Sequence, residues 1–269
     1  MDVLSYTDTA NRLRSLILEM THRIGSGHPT SCLSSVDLMT VLFTDFLHID
    51  WDHMDARTND RIIFSKGHAS ALFYSLLHIQ GKISKKELLT YREFGSVLEG
   101  HPTHRCAYTE AATGSLGQGL SIGVGEAMGL RLQEQLSHVF VLLGDGELAE
   151  GSVWEAAAYA SHQKLSNLIA IVDVNRLEQS GETMVGHTMD TYRRRFESFG
   201  WASIIIDGHD YHQIAIALEK ARTFAAGPSV ILAKTIKGKG VSYWEDKPGF
   251  HNKMLPKEEL EKYVNHSSQ

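Results

Sequence analysis

Val139-Phe140-Val141-Leu142-Leu143 runs directly into Gly144-Asp145-Gly146, and Asn175 follows a second run, 168–174. A strand that ends in a glycine turn presents one carboxylate. The chain then reads as a helix with an open N-terminus and returns as a second strand, which presents one amide oxygen. Asn175 lies thirty residues after Asp145, the length of one strand–helix–strand crossover. Mg²⁺ takes hard oxygen ligands in an octahedron, and proteins hold it with few groups of their own plus substrate phosphates. Asp145, the side-chain oxygen of Asn175 and a nearby backbone carbonyl, for which Leu177 is the candidate, leave room for diphosphate oxygens and a water. The Gly146 amide and the helix N-terminus beyond it suit the anion. A Gly-Asp-Gly turn alone decides little, because such turns are common. The flanking strands and Asn175 turn it into the outline of a magnesium–diphosphate site.

Outward from this unit the same alternation continues. Helical periodicity covers 7–24, with Leu13, Leu16, Ile17, Met20 and Ile24 on one side, and a strongly apolar helix covers 36–47. A short buried strand at 61–64 delivers His68 into a loop before a helix at 71–80. A glycine-dotted helix covers 116–133, where Gly119, Gly123 and Gly125 permit close packing on a neighbouring backbone. After strand 139–143 come helix 152–163, strand 168–174, helix 191–199, strand 202–206, helix 211–224 and strand 229–235. Strands alternating with helices predict an α/β fold, a parallel sheet with helices on both faces. No internal repeat or low-complexity linker divides residues 1–269, which read as one domain. The tail from about Pro256 reads as one amphipathic helix followed by a frayed end.

A chain of 269 residues can bury a substantial core. The formal net charge of −6 argues against nucleic acid as a partner. Arg193-Arg194-Arg195 reads more simply as the solvated face of a helix than as a polyanion site. Two cysteines, Cys32 and Cys106, are too few for a disulfide framework. Met1-Asp2-Val3 does not open a secretory signal, and no stretch is apolar for long enough to cross a bilayer, so the expected location is cytoplasmic, away from the membrane.

Four segments precede the Gly-Asp-Gly turn: Ser26-Gly27-His28-Pro29, Ser65-Lys66-Gly67-His68-Ala69-Ser70, Glu99-Gly100-His101-Pro102, and Thr113-Gly114-Ser115-Leu116-Gly117-Gln118-Gly119. A fifth, Pro248-Gly249-Phe250-His251, follows it. Any one of these histidines alone would read as an ordinary polar residue. Together they place His28, His68, His101 and His251 beside Gly or Pro in loops, where function concentrates.

In order and spacing, from about Leu13 to about Leu255, this pattern resembles the cofactor-diphosphate domain of transketolases. The resemblance implies a thiamine diphosphate-binding fold. It implies a magnesium- and thiamine diphosphate-dependent transfer of a two-carbon ketol unit from a ketose phosphate to an aldose phosphate. The cofactor's thiazolium carbon attacks a ketose carbonyl, and imidazoles donate to the developing oxyanion, hold hydroxyls and shuttle protons. By resemblance His68 and His251 lie near the diphosphate and the reacting carbonyl, while His28 and His101 hold sugar hydroxyls. Gly114, Ser115 and Leu116 line the aminopyrimidine side; without the other motifs they would read as a loop entering a packed helix. Glu150 is implied in a hydrogen-bond network at a subunit interface near the cofactor. For Glu155 the better reading is helix-dipole complementarity. The segment 234–240 reads either as a mobile loop closing over the cofactor or as solvated lysines, with Gly238 and Gly240 favouring mobility.

The chain departs from the family pattern in two places. Many members have Gly-Pro-Leu where this chain has Gly114-Ser115-Leu116, and glycine-rich residues where it has Thr30-Ser31-Cys32. These departures bear on the sugar channel rather than the cofactor. The family's glutamate for the pyrimidine ring nitrogen belongs to a second domain, C-terminal to this one, and no segment here matches that region. The resemblance therefore implies the N-terminal subunit of a split transketolase, assembled with a separate chain carrying the pyrimidine domain, two of each. Three rivals stand beside it. They are half of another thiamine diphosphate enzyme of the deoxyxylulose-phosphate synthase or oxoacid-dehydrogenase type, a non-catalytic interaction protein on the same fold, and a Mg²⁺-dependent phosphatase using the Gly-Asp-Gly turn alone.

Overall fold

The computed structural model describes residues 3–264. Helix α1 (Val3–Ile24) is followed by α2 (Pro29–Leu33) and α3 (Val36–Val41), and α3 runs into a π-helical turn at Leu42–Phe46. The expected single helix over 36–47 therefore changes its winding near its end. Strand β1 (Arg61–Phe64) leads through a three-ten turn (Gly67–Ala69) to α4 (Ser70–Ile79) and the short α5 (Lys85–Leu88). Then come α6 (Gln118–Leu132), β2 (Val139–Gly144), a three-ten turn (Gly146–Ala149) and α7 (Gly151–His162). The chain continues through β3 (Leu168–Val174), α8 (Met189–Ser198), β4 (Ala202–Asp207), α9 (Tyr211–Thr223), β5 (Ser229–Lys234) and α10 (Lys257–Val264). The frayed end expected after the last helix lies outside the described residues. Among them, no helix is long and apolar enough to cross a membrane.

The five strands are all parallel, in the order β1-β2-β3-β5-β4. Alternation along each strand divides the core into two layers. Phe140 and Leu142 face the layer built with α1, α3, α4 and α9, whereas Val139, Val141 and Leu143 face the layer built with α6, α7 and α8. Strand β3 is buried throughout, as a parallel strand covered on both faces must be. The Arg193–Arg195 run lies on α8, where Arg193 pairs with Asp190 and Glu197 of the same helix.

Two of the three helix glycines are tightly packed, Gly119 on the Ser65 backbone as expected and Gly123 on side chains of the sheet. A methyl group on Gly123 would stand 2.6 Å from Val141 Cγ2, and one on Gly119 would stand 2.3 Å from Ser65 Oγ. Gly125 differs, because nothing lies within 4 Å of its outward side. Helix α6 thus presses one face on the sheet and leaves another open.

The register brings the ends of the strands together. Gly144 of β2 pairs with Asp173 of β3, and Asp173 pairs with Ala233 of β5. Loops that leave these carboxyl ends share one crevice, the usual place for ligands in open parallel sheets.

Candidate functional site

A cavity of about 440 Å³ opens at this edge. All four loop histidines line it, together with Asp145, Asn175 and Leu177. The ring centroids of His28 and His68 are 5.3 Å apart, those of His28 and His251 5.0 Å, of His28 and His101 6.1 Å, and of His68 and His251 5.4 Å. Gly114, Leu116, Gly146 and Glu150 also border the cavity. Ser115 does not; it is exposed beside the rim. Gly114 adopts φ 147°, in the region that favours glycine, and a methyl group there would press on the His101 ring at 3.2 Å.

Three of the histidines have a definite local setting. His28 stands at the N-cap position of α2, its ring free of any capping bond, with Pro29 in the first turn. His68 sits on the three-ten turn after β1. His251 is held by Lys237, whose Nζ lies 2.9 Å from its Nδ1. Burial lowers the pKa of all four. His28 falls to about 4, with help from His101 and Arg92, and His251 to about 3, with help from Lys237. His68 lies well below its ordinary value through burial and Lys66, and His101 is lowered by burial and Arg92. At neutral pH these are uncharged imidazoles, able both to donate and to accept.

The oxygen side of the site is built on a buried ion pair. Asp173 and Lys66 have side chains 0% and 1% exposed and form a salt bridge. Asp173 also accepts from Ser34 Oγ (2.6 Å), Ser35 Oγ (2.9 Å) and the Thr235 hydroxyl. Burial pushes its carboxyl pKa up, but Lys66 and the hydroxyls prevail and bring it to about 2. Asn175 donates its Nδ2 to Asp173 (3.2 Å), and Leu177 N–H donates to its Oδ1 (3.2 Å). Asp145 accepts from Arg176 N–H (2.8 Å) and Thr183 Oγ1 (3.0 Å) through one oxygen. Burial, and then the nearby Asp173 carboxylate, push its pKa up to about 6. A buried acid raised by a second acid is suited to a cation.

Among the described residues no three His, Cys, Asp or Glu side chains form a metal site by themselves. One carboxylate, one amide oxygen and one carbonyl instead make a hard-oxygen set that fits Mg²⁺ completed by phosphate oxygens. The Leu177 carbonyl presently accepts from Lys237 Nζ at 2.7 Å.

Two expectations need correction, the helix-dipole role of Glu155 and the solvation of Lys237. The helix expected at 152–163 is α7 (Gly151–His162), and a three-ten turn at Gly146–Ala149 fills the space between it and Asp145. Glu150 is the residue before α7, and Glu155 lies beyond its first turn, where the dipole has weakened. Lys237 is buried, not solvated. Gly238 and Gly240, at φ 77° and 88°, pack under Trp244 and Arg14, so both positions require glycine for a tight turn.

Lys66, Asp173, Glu147 and Lys237 enter the site without having been expected there. Glu147 is buried and ties three loops together: it accepts from Ser65 Oγ, Gly117 N–H (2.8 Å) and Gly144 N–H (3.1 Å). Lys66 stood in view within the motif around His68. Asp173 carried no signal of its own inside a strand pattern.

A parallel sheet whose carboxyl edge gathers an oxygen-ligand set beside uncharged imidazoles defines a diphosphate-binding α/β domain. The chain belongs to the family described as "Transketolase, thiamine diphosphate binding domain", whose model matches residues 5–266. It is 46% identical to the transketolase of Homo sapiens over 260 residues, covering 96% of this chain and 41% of that one. The crystal structure of the transketolase from Campylobacter jejuni superposes with a TM-score of 0.91 at 35% identity, covering 99% of this chain and 43% of that one. The chain thus spans about two fifths of these relatives. A relative of different length, a subunit of the apulose-4-phosphate transketolase of Phocaeicola vulgatus, is 35% identical over 269 residues, covering 100% of this chain and 95% of that one.

Proposed function

We propose that the chain is the N-terminal, diphosphate-binding subunit of a thiamine diphosphate- and Mg²⁺-dependent transketolase. It moves a two-carbon ketol unit from a ketose phosphate to an aldose phosphate. The observation that carries this reading is the convergence of Asp145, Asn175, Leu177 and the four histidines on one cavity. Asp145, the Asn175 oxygen and the Leu177 carbonyl would hold the metal, and Lys66 and Lys237 supply positive charge beside it. When bound, the cofactor supplies the nucleophilic carbon that adds to the ketose carbonyl. His68 and His251 stand nearest the lysine-bearing side, suited to donate a proton toward developing negative charge. His28 and His101 hold sugar hydroxyls.

The partner is a separate chain with a pyrimidine domain, two of each in the assembly, in the cytoplasm. Two observations support it. The relative that matches this chain in length is itself named as one subunit of a transketolase. Leu116 before α6, Leu132 at its end and Tyr159 on the adjoining α7 are exposed apolar side chains, of the kind a partner covers. Residues 1–269 then serve as one diphosphate-binding domain.

Calorimetry on the assembled complex tests the site. Wild type should bind thiamine diphosphate in a Mg²⁺-dependent manner, and Asp145→Ala and Asn175→Ala should each abolish it. Unchanged affinity in both variants would remove the assignment. Apulose 4-phosphate belongs in the substrate panel beside pentose-phosphate ketoses.

A further inference from the structure

Tyr91 and Arg92 lie in the loop after α5, outside the cavity lining, yet each reaches a glycine that precedes a site histidine. A methyl group on Gly27 would sit 3.4 Å from the Tyr91 hydroxyl, and one on Gly100 would sit 2.5 Å from Arg92 Nη1 and 2.8 Å from its Cζ. His28 and His101 come next in the chain. Tyr91 is buried, and its hydroxyl meets Ser70 Oγ at 2.9 Å; Ser70 Oγ in turn donates to Gly100 O at 2.8 Å. The Arg92 N–H donates to Leu98 O at 2.8 Å and closes the 92–98 loop that leads into Gly100 and His101.

Arg92 is held at a price in conformation and in charge. Its φ is 59°, in the left-handed region that a non-glycine residue avoids. Its Nη1 is buried without a hydrogen-bond partner. The adjacent acids are engaged elsewhere: Glu93 with Arg23 (3.6 Å) and Glu99 with Arg105 (2.7 Å). A half-buried arginine in a strained turn, with one buried guanidinium nitrogen unpaired and no carboxylate to meet it, is a costly arrangement to keep for packing alone.

We propose that Tyr91 and Arg92 form a positioning pair that fixes the His28 and His101 loops relative to each other, Arg92 being the charged member. The inference rests on the reading of the cavity as a ketol-transfer site. A neutral imidazole can accept from one hydroxyl and donate to another, whereas an imidazolium only donates. A fixed cation whose charge acts on both rings opposes their protonation. The other charged and titratable groups acting on His28 are His101 and Lys237, while its ring also packs on His68 and His251; His101 has Arg92 and the His28 ring as neighbours. Arg92 is the permanently charged group common to both.

The test compares Arg92→Gln with Arg92→Lys in the full chain. Histidine titration is followed by NMR, and ketol transfer is measured with the partner subunit. Arg92→Gln should move the titration of both His28 and His101 to higher pH. It should raise the acid limb of kcat/KM and lower kcat/KM near neutral pH by about 10²-fold, the penalty of a misplaced reacting group. Arg92→Lys should restore the titration and much of the rate. Gly100→Ala, which keeps the charge but displaces the guanidinium, should reproduce the Gln phenotype while the fold, followed by circular dichroism, is retained. Unshifted histidines in Arg92→Gln, or identical behaviour of the Gln and Lys variants, would overturn the proposal. A wild-type complex without ketol transfer would instead overturn the functional reading, and the NMR titration would still decide the role of Arg92.

Discussion

Asp145 and the four histidines show how strongly burial governs single residues here. A buried carboxylate beside Asp173 is retained at a cost to the metal-free chain. Asp145→Asn should therefore raise the thermal stability of the metal-free protein by about 1–2 kcal/mol while abolishing Mg²⁺-dependent cofactor retention; a destabilised variant in a melting experiment would contradict this. His28→Ala and His101→Ala should keep the cofactor and lose about 10²–10³ in turnover; normal turnover in both would make these rings structural. The depressed histidines also set a pH dependence. With folded values of about 4 for His28 and about 3 for His251, the unfolded chain binds protons that the folded chain refuses below the ordinary 6.5. The two groups leave stability untouched above that value and subtract from it as pH falls. Between about pH 7.5 and about pH 5.5, wild type should lose up to about 1 kcal/mol more per histidine than a His28→Asn/His251→Asn variant. Parallel melting curves for the two proteins would refute the sign. The histidines were legible because each stands beside Gly or Pro in a loop. The Lys66–Asp173 pair was not, because its partners lie 107 residues apart and meet only when β1 and β3 are assembled in the sheet.

Among the elements, α6 carries the clearest division of labour. Gly123 faces Val141 without room for a methyl group, whereas Gly125 faces open space. Gly123→Ala should destabilise the chain by about 1–3 kcal/mol through overpacking. Gly125→Ala should stabilise the free chain by up to about 1 kcal/mol through helix propensity, yet weaken assembly if this face meets the partner. Equal effects on the melting temperature would contradict the two-faced reading. Strands β1 and β3 were read from sequence with their observed bounds, because apolar runs punctuated by turns leave little freedom. The three-ten turn before α7 was not legible: it depends on Glu147 turning inward to take the Gly117 and Gly144 amides. Nor was the burial of Lys237 legible, since Lys-Gly-Lys-Gly has the composition of a solvated loop until Leu177 and His251 are placed beside it.

At the scale of the molecule, a parallel sheet brings a hard-oxygen set and uncharged imidazoles to one edge and leaves the apolar side chains of Leu116, Leu132 and Tyr159 uncovered. The architecture was legible because the strand–helix alternation runs the length of the chain. The central proposal is that this chain anchors the diphosphate while a second chain supplies the group that activates the ring. Ketol transfer measured on the purified chain, with Mg²⁺ and thiamine diphosphate, before and after adding a pyrimidine-domain subunit tests this most directly. The account expects no turnover from the chain alone and turnover on addition, together with a higher melting temperature, because a partner that binds the native state stabilises it. Robust turnover by the lone chain, with contaminating transketolase excluded, would contradict it.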